Sequence, residues 1–100
     1  MFELGKILVT QGINIALEDG EITTKELQYI IFRHLNNVDD NKYCEDRKAN
    51  QQAINEGNGR VLTVHNIKHS TGRTEKIYCI TEGLGNPEYL HTTILYAEEY

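Results

Sequence analysis

Three runs rich in β-branched residues follow one another in the C-terminal part of this chain, residues 60–68, 76–81 and 91–97, and they constrain the fold more than anything else in it. Such side chains fit a pleated, half-buried surface, and strands adjacent in sequence usually lie side by side. Ser70-Thr71-Gly72-Arg73 between the first two runs is hairpin-loop chemistry, and Gly83-Leu84-Gly85-Asn86-Pro87-Glu88 makes a longer loop before the third. The pattern predicts an antiparallel three-stranded meander with 76–81 at its centre and Val64, Ile77, Cys79 and Ile94 buried.

Helices are expected ahead of the meander. Residues 4–10 form a short apolar run that is a candidate edge strand, and Thr10 then offers a hydroxyl to cap a helix whose buried face carries Ile13, Ala16 and Leu17. Gly20 ends that helix. Thr23-Thr24-Lys25-Glu26 has the spacing of a capping box, with Leu27, Ile30, Ile31 and Leu35 recurring behind it, so a second helix is expected over 24–36. His34 lies beside this stripe, where a hydrogen-bonded structural role is expected. A third helix is expected over 43–56 with Ala49, Ala53 and Ile54 inward and Gly57 as its stop. The expected class is α+β, three N-terminal helices packed on a C-terminal three-stranded antiparallel β-meander.

One hundred residues make a single domain, 1–100, able to bury roughly 60 to 65% of its unfolded surface without a disulfide or metal. The apolar runs are too short to cross a bilayer, and the first residues lack the basic and apolar regions of a secretory signal, so a bacterial cytoplasmic location is expected. Cys44 and Cys79 agree with that, reading as two free thiols of a reducing compartment.

Several chemistries lack the residues they need. Asp19 to Leu27 resembles the second half of a calcium loop, but the oxygen ligands due two and four residues before Asp19 are Leu17 and Ile15. His65 and His69 are separated by roughly 13 Å on an extended strand, and neither cysteine has a CxxC partner, so no metal and no cofactor are expected. A catalytic Cys44 or Cys79 would need a histidine brought in by the fold. No catalytic residue is assigned. Fifteen acidic against ten scattered basic side chains, net −5, leave no stripe to displace counterions from phosphates, so direct nucleic-acid binding is not expected.

The acidic residues do cluster: Glu18, Asp19 and Glu21; Asp39, Asp40, Glu45 and Asp46; and Glu98 with Glu99, while Tyr43 and Tyr100 stand beside two of these groups. Carboxylates at loops and helix N-termini are ordinary, being favoured by the helix dipole. The sharper expectation is that these eleven residues meet a basic protein surface, with tyrosines supplying contact area and charges setting orientation and on-rate.

Leu4-Gly5-Lys6-Ile7-Leu8-Val9-Thr10-Gln11-Gly12, Lys76-Ile77-Tyr78-Cys79-Ile80-Thr81-Glu82 and Thr92-Thr93-Ile94-Leu95-Tyr96-Ala97-Glu98-Glu99-Tyr100 together resemble a family of small plasmid- and phage-related proteins. Its members begin with a Leu-Gly-x-Ile-Val-Ala-Thr-Pro-Gly run and end with Ile-Thr-Glu, a spacer and Thr-Thr-Ile-Leu-Leu-Pro-Glu-Glu-Tyr. Here Gln11 and Ala97 stand where proline is usual, and the 83–91 loop is longer. The resemblance implies a mobile-element origin. Small acidic proteins of that origin often inhibit host defence enzymes, so the expected function is a non-catalytic inhibitor of a CRISPR effector or restriction nuclease. The alternatives are a regulatory or structural interaction module of a plasmid or phage, and a small hydrolase.

Overall fold

The computed structural model describes residues 2–100. The elements run β1 (Lys6–Val9), α1 (Gln11–Glu18), α2 (Thr24–Leu35), α3 (Cys44–Glu56), β2 (Gly59–Lys68), β3 (Thr74–Leu84), β4 (His91–Tyr96) and a closing 3-10 turn, Ala97–Glu99. Period-2 alternation selects what each strand buries. Thr63, His65 and Ile67 of β2, Ile77, Cys79 and Thr81 of β3, and Thr92, Ile94 and Tyr96 of β4 turn to one face and are buried there. On that face α1 supplies Ile13 and Ala16, the turn after it Ile22, and α2 Leu27 and Ile30, which close the main core against Ile67, Ile77, Cys79, Ile94 and Tyr96. Val64 does not join them. It is only half-buried, because the alternation that turns Thr63 and His65 inward turns Val64 to the opposite face.

The three-stranded antiparallel meander expected above is corrected: the sheet has four strands in the order β1-β4-β3-β2 and is mixed. β2, β3 and β4 are antiparallel neighbours, while β1 lies parallel to β4 with Ile7 beside Thr92 and Val9 beside Ile94. Three local features hold β1 there. The Thr10 N–H donates to the Ile94 carbonyl at 3.2 Å, and Thr92 Oγ1 donates to the Leu4 carbonyl at 2.8 Å. Gly5 has φ +63°, and a Cβ there would collide with the Leu90 carbonyl. A parallel partner more than eighty residues away leaves no local signature, so the sequence pattern could not assign it.

The helices also depart from the expected packing on the sheet. α1 and α2 cover the core face, but α3 lies along the outer edge of β2 and fully buries only Asn50, with Ala53 and Ile54 half-buried and Ala49 exposed. A polar side chain replaces the apolar stripe because an edge strand has backbone groups to satisfy. Asn50 accepts from the Leu62 N–H at 3.1 Å and donates to the Leu62 carbonyl at 2.7 Å. Two residues on, Asp39 accepts from the Val64 N–H at 2.9 Å and the Asp40 N–H donates to the Val64 carbonyl at 2.8 Å. Asp40 then accepts from the Asn66 N–H at 2.9 Å. The β2 edge is sealed by side chains at three successive outward positions.

The second helix starts as its letters dictate: Thr23 Oγ1 accepts from the Glu26 N–H at 3.2 Å and the Glu26 carboxylate accepts from the Thr23 N–H at 3.0 Å. At α1 the expected hydroxyl cap is replaced. Thr10 Oγ1 donates to Glu99 at 2.7 Å, and Glu99 also accepts from the amides of Tyr96, at 2.9 Å, and Gly12. A carboxylate beside the helix N-terminus satisfies an orphan amide and favours the dipole, so the C-terminal turn caps the first helix.

Candidate functional site

On the face of the sheet away from α1 and α2, an open groove of about 590 Å³ runs between the 40–43 turn, the start of α3, the outward side chains of β2 and β3, and the last residue. Leu62, Val64 and Tyr78 form its floor, Tyr43 and Tyr100 stand at its sides, and Asp40, Asp46, Lys42 and Lys76 add charge of both signs. Tyr43 is 70% exposed and Tyr100 60%. Tyr43 is anchored through its backbone and Tyr100 through its side chain. The Tyr43 N–H donates to Asn41 Oδ1 at 3.0 Å, and Asn41 donates to Asp46 at 2.9 Å, which orders the turn into α3. Tyr100 lies edge-on to Tyr78 with ring centres 5.6 Å apart, and Arg60 donates to its hydroxyl at 2.8 Å. The Tyr100 ring, fixed in this way, presents contact area at low entropy cost, and the exposed Tyr43 ring stands across the groove on an ordered stretch of backbone.

Of the eleven residues picked out in the sequence, this groove gathers Asp40, Tyr43, Asp46 and Tyr100. The others lie elsewhere or are engaged in the fold. Asp39 has its side chain almost wholly buried against Val64 and beside Arg47 at 3.5 Å. Asp40 is itself gripped by both guanidinium nitrogens of Arg33, at 3.2 and 3.3 Å. Burial pushes its carboxyl up, but Arg33 and the Asn66 amide outweigh this and hold it below the usual carboxylate range. Glu99 is likewise shifted up by burial and, more strongly, down by the hydrogen bonds from Thr10, Tyr96 and Gly12. Glu21 sits 3.7 Å from His69 and 3.9 Å from Arg73 at the β2–β3 hairpin. Asp19 is the C-terminal cap of α1, and Glu18 accepts from Asn14 at 3.4 Å. Glu45 and Glu98 are exposed. Sequence reasoning missed Tyr78 and Lys76, though their alternation with Ile77 and Cys79 places them on the outward face.

A second polar assembly lies inside the molecule, between α2 and the sheet. His34 Nδ1 is 2.6 Å from Thr63 Oγ1 and its Nε2 is 2.8 Å from Thr81 Oγ1. Thr63 Oγ1 is 2.8 Å from His65 Nε2, and Thr81 Oγ1 is 2.7 Å from Thr92 Oγ1. All five side chains are fully buried. The far end fixes every proton in this chain. Thr92 spends its hydroxyl hydrogen on the Leu4 carbonyl, so Thr81 must donate to Thr92 and accept from His34 Nε2–H. His34 Nδ1 is then the acceptor for Thr63, and Thr63 accepts from His65 Nε2–H. His65 Nδ1 is left bare and has no partner among the described residues. Both rings are neutral: burial, with the neighbouring His65, lowers His34 to about 4, and burial, with Arg33, lowers His65 to about 4. Both nitrogens of His34 are therefore engaged with hydroxyls inside the fold.

The thiols are far apart in character. Cys79 is wholly buried and burial pushes it up to about 12, while Cys44 is exposed at the first turn of α3; both are free. His69 donates to or accepts from the Tyr96 hydroxyl at 2.8 Å and is buried with it. Among the described residues no three His, Cys, Asp or Glu side chains converge as a metal site, and no helix is long and apolar enough to cross a membrane. Compared with protein-family models, curated proteins and solved structures, the chain has no match.

Proposed function

We propose that this protein is a non-catalytic, protein-binding inhibitor of a host defence nuclease, of the CRISPR-effector or restriction type, carried by a mobile element in the bacterial cytoplasm. The observation that carries the reading is the convergence of Tyr43, Tyr78 and Tyr100 with Asp40 and Asp46 on one open groove. Tyrosines ringed by charge are the composition of binding hot spots. Net −5 suits a partner surface that is itself basic, such as a channel built to hold nucleic acid. Within the eleven residues first singled out, Asp40, Tyr43, Asp46 and Tyr100 form the contact surface, Glu45 and Glu98 steer the approach, and Asp39 and Glu99 hold the fold.

The test is cleavage of labelled DNA by a panel of purified CRISPR effectors and restriction nucleases, with and without this protein. Stoichiometric inhibition of at least one, lost in the Tyr43→Ala/Tyr100→Ala double variant and kept in Cys44→Ala, is the expected result. Inhibition that is substoichiometric and abolished by Cys44→Ala would replace binding with turnover. Lys42 and Lys76 inside the same groove favour a second reading, an interaction module whose partner presents both signs of charge. No inhibition across the panel, with specific binding to an element-encoded protein, would establish that alternative.

A further inference from the structure

The two edges of the sheet are treated in opposite ways. The β2 edge is closed at Leu62, Val64 and Asn66 by Asn50, Asp39 and Asp40. The β1 edge carries no such cover. Because Thr10 N–H bonds to β4, strand alternation turns the backbone groups of Lys6 and Leu8 toward β4 and those of Ile7 and Val9 outward. The N–H and C=O of Ile7 and of Val9 have no partner among the described residues. The side chains beside them are apolar and open: Ile7 is 46% exposed, Leu8 39% and Val9 37%. An uncovered apolar edge strand of this kind is a template for another strand, and proteins ordinarily blunt it.

We infer that β1 pairs antiparallel with β1 of a second copy of this chain, joining two four-stranded sheets into one of eight. The occupant is identified by self-complementarity. With Leu8 on the twofold axis opposite its own copy, Ile7 falls opposite Val9 of the other chain and Val9 opposite Ile7. The four outward backbone groups of each chain then meet four of the other in two hydrogen-bonded pairs, and Leu8 meets Leu8 at a non-hydrogen-bonded pair, where side chains approach closest. Apolar and β-branched residues face each other on both sides of the new ladder. The flanks match in charge as well. In this register Lys6 stands opposite Thr10 of the second copy, and the Thr10 hydroxyl holds the Glu99 carboxylate at 2.7 Å. Each junction therefore brings a lysine beside a carboxylate held ionised by its own hydrogen bonds. An isologous contact repeats this on both sides of the axis and closes at two copies.

Sedimentation equilibrium of the full chain from micromolar to millimolar loading tests the inference, with backbone amide exchange followed by NMR at both ends of the range. The expected result is a monomer that becomes a dimer as concentration rises, with the Ile7 and Val9 amides gaining protection only in the dimer and the Leu8 amide protected throughout. Ile7→Pro removes an outward N–H that the single chain does not use, and Leu8→Lys sets two like charges opposite each other across the axis. Each should weaken dimerisation roughly tenfold or more with an unchanged circular dichroism spectrum. Should Ile7→Pro perturb the fold, Leu8→Lys alone decides. Lys6→Glu should weaken the dimer less, and more at low salt. A monomer at every concentration overturns the inference and leaves the edge to a strand from another protein. A dimer that persists in Leu8→Lys, or that forms without new protection at Ile7 and Val9, overturns it also.

Discussion

Acid should unfold this protein through His34 and His65 well before its carboxylates are protonated. Both rings are fully buried, and both are held near 4 against about 6.5 in an unfolded chain. For His34 the causes are burial and then His65; for His65 they are burial and then Arg33, with Asp39 and Asp40 opposing. Between pH 6.5 and 4 the unfolded chain binds protons on these two residues that the folded chain refuses. Stability is therefore complete above about pH 6.5 and lost as pH falls toward 4. At roughly 1.4 kcal/mol per pH unit, each histidine is worth about 3.5 kcal/mol over the whole window, and the two together at most about 7. That is comparable with the entire stability of many domains of this size. Asp40 and Glu99, held low by their hydrogen bonds, lose their contribution only below the usual carboxylate range. The assay is urea unfolding at half-unit steps from pH 7.5 to 4, paired with long-range proton–nitrogen NMR of the imidazoles. The spectra should show His34 and His65 as neutral Nε2–H tautomers throughout the folded range. A flat unfolding free energy between pH 7 and 4.5, or a His34 signal that titrates near 6.5, would refute the proton assignment and the network with it.

Other consequences follow from single contacts. Thr81→Val keeps the shape but leaves His34 Nε2–H without its acceptor at a fully buried position, and should cost about 1 to 3 kcal/mol in urea unfolding. Asn50→Ala strips both hydrogen bonds from the Leu62 edge, and should cost about 1 to 3 kcal/mol and raise light scattering as a second edge opens. Ile77→Ala, at a fully buried position in the central strand, should cost about 2 to 5 kcal/mol through lost transfer energy and a cavity.

How far the letters carried can be judged from particular residues. The capping box at Thr23 and Glu26, the stop at Gly57 and the three C-terminal strands are local matters of spacing and side-chain type, and the chain realises them. β1 beside β4 is a long-range choice, made by Gly5 approaching Leu90 and by Thr92 reaching Leu4, and no window of sequence contains both partners. α3 misled because Ala49, Ala53 and Ile54 look like a buried stripe, whereas the helix is fixed by Asn50 on a strand edge. The acidic clusters were visible, but not which carboxylates were already engaged. Asp39 and Glu99 read like surface charge until the amides of Val64, Tyr96 and Gly12 are seen to need them. The polar letters Thr63, His65, Thr81 and Thr92 all fall on the inward phase of their strands, a signal that was present and pointed to a buried network facing His34.

The proposal that recognition is carried by the tyrosine groove is tested most directly by calorimetric titration of an inhibited nuclease with the parent, the Tyr43→Ala/Tyr100→Ala variant and Cys44→Ala. Hot-spot tyrosines contribute about 2 kcal/mol or more each. Removing both should weaken binding by roughly a hundredfold or more, with fold and pH stability retained, while Cys44→Ala binds as the parent does. Parent-like affinity in the double tyrosine variant, or loss of binding in Cys44→Ala, would contradict it.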